Sequence, residues 1–234
     1  DMPDYRPTGA REVRKAGRAF LAMRARIRRY IHQRTQMLAG VSHDLRTPLT
    51  RMKLGIAMLP ESEDRDALAA DAREMDKMLE GYLDFVRETQ DADRDLVDIE
   101  VLASELADES ARMGGVLDIE IEDELSVQAS TMSLKRALMN LINNAFNHAD
   151  RVKLEGRRTN HSVVLTVDDN GPGIPEEDRE RALQPFERLD PSRSTTGTGL
   201  GLAIVADIAK QHGGALELDD SPFGGLRATL RLPG

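Results

Sequence analysis

Apolar residues fall into two regimes along this chain. Leu38, Val41, Leu45, Leu49, Met52, Ile56 and Leu59 recur at steps of three and four, the stripe of an amphipathic helix. Residues 12–34 read as a helix running into that stripe without a Gly or Pro cluster between them. The segment Pro60-Glu-Ser-Glu-Asp64 breaks the pattern. Ser62 can cap a second helix with an acidic first turn, whose apolar residues Leu68, Ala72, Met75, Leu79, Tyr82 and Val86 again repeat at three or four. Two helices with one stripe each make half a core, which predicts an all-α homodimeric four-helix bundle. A polar linker spans 88–95. Beyond it, short apolar strands at 116–121, 152–154, 163–167, 215–218 and 226–232 alternate with helical patterns, predicting an α/β sandwich with helices on one sheet face.

The first candidate chemistry lies on the helical stripe, in Ser42-His43-Asp44-Leu45-Arg46-Thr47-Pro48-Leu49. His43 is two residues from both Val41 and Leu45, so at about 100° per residue it projects nearly opposite the buried stripe. A carboxylate beside an imidazole can accept from one ring N–H and leave the other nitrogen as a nucleophile, which assigns Asp44 as the base. Thr47 is one turn on from His43, where its hydroxyl can orient a water against a phosphoryl group. Pro48 has no N–H for the carbonyl of Asp44, so a bend is expected after the nucleophile.

Three further motifs follow in the α/β region. Asn140-Leu-Ile-Asn-Asn144-Ala145 sits on a helical pattern that turns Asn140 and Asn144 to one face. Asp169-Asn-Gly171-Pro-Gly173-Ile174 follows an apolar strand, and Gly197-Thr198-Gly199-Leu200-Gly201-Leu202 opens a helix that runs toward His212. No Gly-x4-Gly-Lys-Ser/Thr loop occurs, so a P-loop is excluded as the phosphate cradle. An amide oxygen such as that of Asn144 is a hard, neutral ligand suited to Mg²⁺, which takes few protein ligands. Asp169, an acceptor-only carboxylate, can take a hydrogen bond from an adenine amino group and repels the guanine carbonyl. Gly171 and Gly173 allow close backbone approach to a base, and Gly197, Gly199 and Gly201 can aim N–H groups at phosphate.

In this order and spacing the three motifs resemble the N, G1 and G2 boxes of the GHKL (Bergerat) ATP-binding fold, shared by sensor histidine kinases, Hsp90, gyrase B and MutL. With the histidine motif upstream, the chain resembles a HisKA-type sensor histidine kinase over nearly its whole length. The run Ala39-Gly40…Thr50-Arg51 and the ending Gly225-Leu226…Leu232-Pro233 look most like the EnvZ-type osmosensor subfamily. The resemblance implies that Asn144 is the Mg²⁺ ligand, that Asn140 lines the ATP phosphates, and that His43 accepts the phosphoryl group. It also implies that the charged segment 175–196 is an ATP lid anchored by Phe186, from which Arg188 or Arg193 reaches the transferring phosphoryl group. Asn147 and His148 depart from the family, where a basic residue and an aromatic are common; they are carried as nucleotide contacts.

Composition bounds this reading. With aromatic residues at only 3%, the cores must be built from Leu, Ile, Val, Ala and Met. Zero Cys removes disulfides and thiol chemistry, and the five His show no close metal-ligand spacing. The net charge of −9 hides an asymmetry: residues 6–34 carry ten Lys/Arg against Glu12 alone, leaving −18 elsewhere. With few aromatics interleaved and no recognition motif, that run does not point to nucleic acid. It suits a position beside anionic lipid, and Pro7…Gly9-Ala-Arg-Glu12-Val13…Ala19-Phe20…Met23 resembles the second helix of a HAMP linker. No stretch approaches eighteen apolar residues, so a membrane anchor and an input domain are expected outside this sequence, with the chain on the cytoplasmic side of a bacterial inner membrane.

The expected organisation is therefore the end of a HAMP linker (1–34), a dimerisation and histidine-phosphotransfer hairpin (35–90) and a catalytic ATP-binding domain (96–234). The expected activity is autophosphorylation on His43, transfer to an aspartate of a response-regulator receiver domain, and phosphatase action on that partner through Asp44 and Thr47. Two alternatives stand beside it: an ATP-gated interaction scaffold, and a GHKL-type ATPase without phosphotransfer.

Overall fold

A computed structural model describes residues 11–87, 94–187 and 199–234. The chain divides into two compact units, residues 1–90 and 91–234.

The first unit is a helical hairpin. Helix α1 (Arg11–Ala57) continues through Pro48, and α2 (Glu63–Arg87) follows a short turn. Ser62 accepts from the Arg65 N–H at 3.2 Å, so the N-terminus of α2 is capped as its sequence suggests. Lys53 on α1 pairs with Asp76 on α2 at 2.6 Å. Among the described residues only Leu49 and Ala72 of this hairpin are buried apolar side chains, whereas Val41, Leu45, Met52, Leu59, Leu68 and Met75 stand about half exposed. The stripes are thus only partly covered within one chain.

The second unit is a sandwich of helices on a mixed sheet. A two-stranded sheet, β1 (Asp95–Asp98) with β3 (Ser126–Ala129), leads into it. Helix α3 (Ile99–Arg112) starts where Asp98 Oδ1 accepts from the Glu100 and Val101 N–H groups. Helix α4 (Thr131–Phe146) starts on Ser130, whose hydroxyl accepts from Ser133 N–H. The main sheet has the order β2 (Leu117–Ile121), β4 (Val152–Thr159), β5 (Ser162–Asp169), β7 (Leu226–Pro233), β6 (Ala215–Asp220). Only the β2–β4 pair is parallel. Helix α5 (Glu176–Ala182) and helix α6 (Gly201–Gln211) complete the unit.

Strand register sorts the sheet into two chemically different faces, because side chains alternate with a period of two. Val152, Leu154, Leu165, Val167, Ala228, Leu230 and Leu218 occupy one face and form the core beneath α3, α4 and α6. The other face carries Glu120, Lys153, Glu155, Asp168, Arg227, Arg231 and Glu217 in adjacent positions. These pair across strands. Lys153 hydrogen-bonds Glu120, which lowers the Glu120 carboxyl and raises Lys153; Arg231 meets Glu217 at 2.8 Å. Arg227 grips Asp168 with two bonds of 2.8 Å, and this pushes the guanidinium above its ordinary value.

The Arg227–Asp168 pair predicts an asymmetric response to mutation. The Asp168 side chain is 1% exposed and that of Arg227 33%. Arg227→Met strands a buried carboxylate and should cost about 3–5 kcal/mol, while Asp168→Asn leaves a guanidinium that can reach water and should cost less. Replacing both by apolar residues should recover part of the Arg227→Met loss. Urea unfolding of the four proteins reads the order, and equal losses for the two single variants would contradict it.

Candidate functional site

Helix α4 organises the candidate nucleotide site. Its sequence carries no acidic residue, and Leu134, Ala137, Leu138, Leu141, Ile142 and Ala145 are buried, which turns Asn140 and Asn144 to a half-buried edge. The N-terminus of α6 arrives opposite: a Cβ on Gly201 would lie 3.8 Å from Asn140 Oδ1. Leu200 precedes α6 as its cap residue and supplies no side-chain acceptor, so the first N–H groups of α6 have no side-chain partner among the described residues. The C-terminal end of α4 reaches the turn after β5. Asn147 is its C-cap, exposed, and His148 follows it with its side chain in solvent and its carbonyl against Gly171.

Asp169 stands at the end of β5 in the apolar row of the sheet, 5% exposed. Its Oδ1 accepts from the N–H of Gly171 at 2.8 Å and of Leu226 at 3.0 Å. Oδ2 accepts no hydrogen bond among the described residues, yet it is not a buried unpartnered atom. One carboxylate oxygen is therefore fixed by backbone, and the other accepts nothing among the described residues. The fit around it is close enough to demand glycine. A Cβ on Gly225 would overlap Asp169 Oδ1, and a Cβ on Gly171 would come within 2.8 Å of the His148 carbonyl. Gly173 has φ +70 and packs on the Gly225 carbonyl; Ile174 accepts from Arg179 Nε at 3.1 Å.

Phe186 and Gly199 meet across the segment between them. The Phe186 N–H donates to Gly199 O at 2.9 Å, and both residues have positive φ, +67 in each case. Phe186 is 53% exposed. Arg188, Arg193, Gly197 and Thr198 lie outside the described residues. Within the segment 175–196, which reads from sequence as charged and aperiodic, residues 176–182 form α5; its acidic first turn and basic last turn suit the helix dipole over too few residues for a periodic signal.

His43, Asp44 and Thr47 all lie on α1, in the other unit. Asp44 and Thr47 are exposed; the His43 side chain lies outside the described residues. No cluster of three or more His, Cys, Asp or Glu side chains suited to a metal occurs among the described residues. Asn140 and Asn144, half-buried amides on one edge of α4, are neutral oxygen donors of the kind compatible with Mg²⁺, which keeps several waters and takes few protein ligands.

Sequence reading missed three positioning residues. Asn170 accepts from the Asp150 and Arg151 N–H groups at 3.1 and 2.9 Å, joining the two loops at this end of the site. Arg151 stacks 4.0 Å over Phe223 on the β6–β7 turn. Gly225, in that turn, sets the position of Asp169. The Gly224-Gly225 pair between two strand patterns signals a turn, but not what the turn packs against.

The second unit has the layered α/β fold of GHKL ATP-binding domains and follows, in the chain, a helical hairpin of the phospho-acceptor type. Residues 129–234 match the family of histidine kinase-, DNA gyrase B- and HSP90-like ATPases, and residues 33–91 match the His Kinase A (phospho-acceptor) domain. The chain thus carries a histidine-kinase phospho-acceptor domain followed by a histidine kinase-type ATPase domain, the pair it shares with sensor histidine kinases. It is 36% identical over 96% of its length to the sensor histidine kinase GtrS of Pseudomonas aeruginosa, and 34% identical over 96% to the sensor histidine kinase CpxA of Escherichia coli. Those alignments cover 47% and 52% of the two relatives, so the chain spans about half the length of the curated relatives it matches. The crystal structure of the ATP-binding domain of PrrB from Mycobacterium tuberculosis superposes with a TM-score of 0.50 at 36% identity, covering 61% of this chain and 98% of that one.

Gly225→Ala should displace Asp169 while leaving the sheet intact. Amide exchange at Leu226 and Gly171, the two donors to Asp169 Oδ1, should speed up by roughly fivefold to tenfold for a lost bond of about 1–1.4 kcal/mol, with little change along β4. Unchanged protection at those two amides would show that the turn yields without moving the carboxylate.

Proposed function

We propose that this chain is the catalytic core of a homodimeric sensor kinase that transfers the γ-phosphoryl group of ATP to His43 and then to an aspartate of a response-regulator receiver domain. The observation that carries the nucleotide half is the convergence of Asn140, in the C-terminal half of α4, with the N-terminus of α6, 61 residues away in sequence. An uncapped helix N-terminus beside neutral amides suits a polyphosphate, and the free oxygen of Asp169 suits the adenine amino group. Asn144 and Asn140 would hold Mg²⁺ and the phosphates. Mg²⁺, when bound, neutralises phosphate charge and fixes its orientation. Ile174, Phe186, Arg188, Arg193, Thr198 and Leu200 belong to the same proposed site, with Asn147 and His148 at its rim.

In the acceptor half, Asp44 holds one nitrogen of His43 so that the other attacks the γ-phosphorus; an N–P bond forms, the bond to the bridging oxygen breaks, and ADP leaves. A second nucleophile, a carboxylate of the receiver domain, then takes the phosphoryl group from the ring. Thr47, exposed one turn beyond His43, is suited to orienting water on the phosphorylated receiver. The homodimer is supported by the half-exposed stripes of α1 and α2, which a second hairpin would cover. The basic start of α1, with Lys15, Arg18, Arg26 and Arg29 exposed, supports a HAMP-like segment on the cytoplasmic side of a membrane. No helix among the described residues is long and apolar enough to cross it.

Incubation with γ-labelled ATP tests the core reading. Label on the chain that is acid-labile and base-stable is expected, lost entirely in His43→Gln with nucleotide affinity nearly unchanged. Free phosphate without labelled chain would favour a plain ATPase instead, and nucleotide binding with neither would favour a scaffold.

The role of Thr47 is checked separately. Thr47→Ala should autophosphorylate near the unmodified rate and dephosphorylate the cognate regulator roughly 10²-fold or more slowly, the usual scale for losing a proton-positioning group. Phosphorylated regulator mixed with the variant and a non-hydrolysable ATP analogue gives the answer, and unreduced turnover would remove Thr47 from the phosphatase step.

A further inference from the structure

Among the described residues one histidine is buried, His212, which is 7% exposed. It follows the last residue of α6 and lies against the first turn of α4. Its Nδ1 lies 2.8 Å from the carbonyl of Ile208, and the Ser130 N–H approaches its Nε2 at 3.1 Å. An amide N–H can only donate and a carbonyl can only accept, so the partners fix one neutral tautomer, with the proton on Nδ1 and the lone pair on Nε2. Ser130 is itself 5% exposed and is the N-cap of α4, so this bond ties the start of α4 to the end of α6.

Contacts at the other end show what the tie controls. Asn140, ten residues into α4 from Ser130, faces Gly201, eleven residues back along α6 from His212. The two helices therefore run antiparallel, pinned at one end by His212 and meeting the proposed phosphate site about 15 Å away at the other, at 1.5 Å per residue. Packing between apolar helix faces resists separation more than sliding, whereas a directional hydrogen bond opposes both. We infer that His212 is a positioning residue that sets the axial register of α4 against α6, and with it the placement of Asn140 and Asn144 relative to the phosphate-binding start of α6. This inference rests on the kinase reading above for the identity of the ligand, but the helix register it describes does not.

The test uses the whole chain and a non-hydrolysable ATP analogue, titrated calorimetrically with Mg²⁺ and again with a chelator in its place. His212→Leu removes both bonds, and His212→Asn can keep a donor near Ile208 while losing the acceptor for Ser130. Val163→Ala, a core truncation at the far end of β5, controls for general loss of stability. Both His212 variants should lose roughly fivefold to tenfold of the Mg²⁺-dependent gain in affinity, as expected for one lost bond, and Val163→Ala should lose none. Histidine ¹⁵N chemical shifts of the unmodified chain should show His212 protonated on Nδ1 alone. Full Mg²⁺ dependence in both His212 variants, or a His212 protonated on Nε2, overturns the inference even if the unmodified chain binds nucleotide normally. An unmodified chain that binds no nucleotide overturns the kinase reading and the inference drawn on it, a result distinct from the first.

Discussion

Two consecutive carboxylates at the end of the central strand constrain the second unit more than any other feature. Because side chains alternate along β5, Asp168 and Asp169 point to opposite faces, and each is almost fully buried. Burying two adjacent charges is costly unless each is answered. Asp168 is answered by a side chain, the forked guanidinium of Arg227 on the next strand. Asp169 is answered by backbone alone, through Gly171 and Leu226. The difference matters for function. A bidentate partner uses both oxygens, while two N–H groups on one oxygen hold the carboxylate still and leave the other oxygen available to the proposed ligand.

That arrangement explains why glycines crowd this corner. Backbone donors can reach a buried carboxylate only if the turns carrying them approach closely, and any side chain at Gly171 or Gly225 would occupy the space the approach needs. The Gly-Pro-Gly loop and the β6–β7 turn thus act as one device, although they are more than fifty residues apart. Arg151 over Phe223 and Asn170 across the Asp150–Arg151 backbone brace it from the outside.

The regular elements were legible in the sequence because their apolar periods are long. The stripe from Leu38 to Leu59, the capped second helix and the strand around Val163–Val167 all announce themselves by repetition. The strands β1 and β3 do not: each has four residues, too few for a period, and they pair with each other from positions about thirty apart. Helix α5 is hidden for the same reason. Asn140, Asn144 and the glycine motifs could be picked out by residue type and spacing. The parts played by Gly225, Arg227 and His212 could not, since each matters through a contact with a distant residue that no local pattern encodes.

Charge placement links these observations to the proposed substrate. The chain carries −9 overall, yet α4 contains Lys135 and Arg136 and no acid, and the first acid of α6, Asp207, comes nearly two turns after its start. At an effective dielectric of about 20, one carboxylate 4 Å from a phosphate oxygen would oppose binding by about 4 kcal/mol, roughly the whole stabilisation a helix N-terminus and a few hydrogen bonds can offer. Amides solve this at Asn140 and Asn144, because they present oxygen to a cation without repelling a polyanion when the cation is away. Acidic residues stand instead in the first turns of α2 and α5, where they suit the helix dipole, and at Asp169, where a carboxylate would face an exocyclic amine in the proposed complex. In the proposed complex Asp169 would be the carboxylate at the base end, and neutral amides at the phosphate end would let that negative charge discriminate between bases without repelling the polyphosphate.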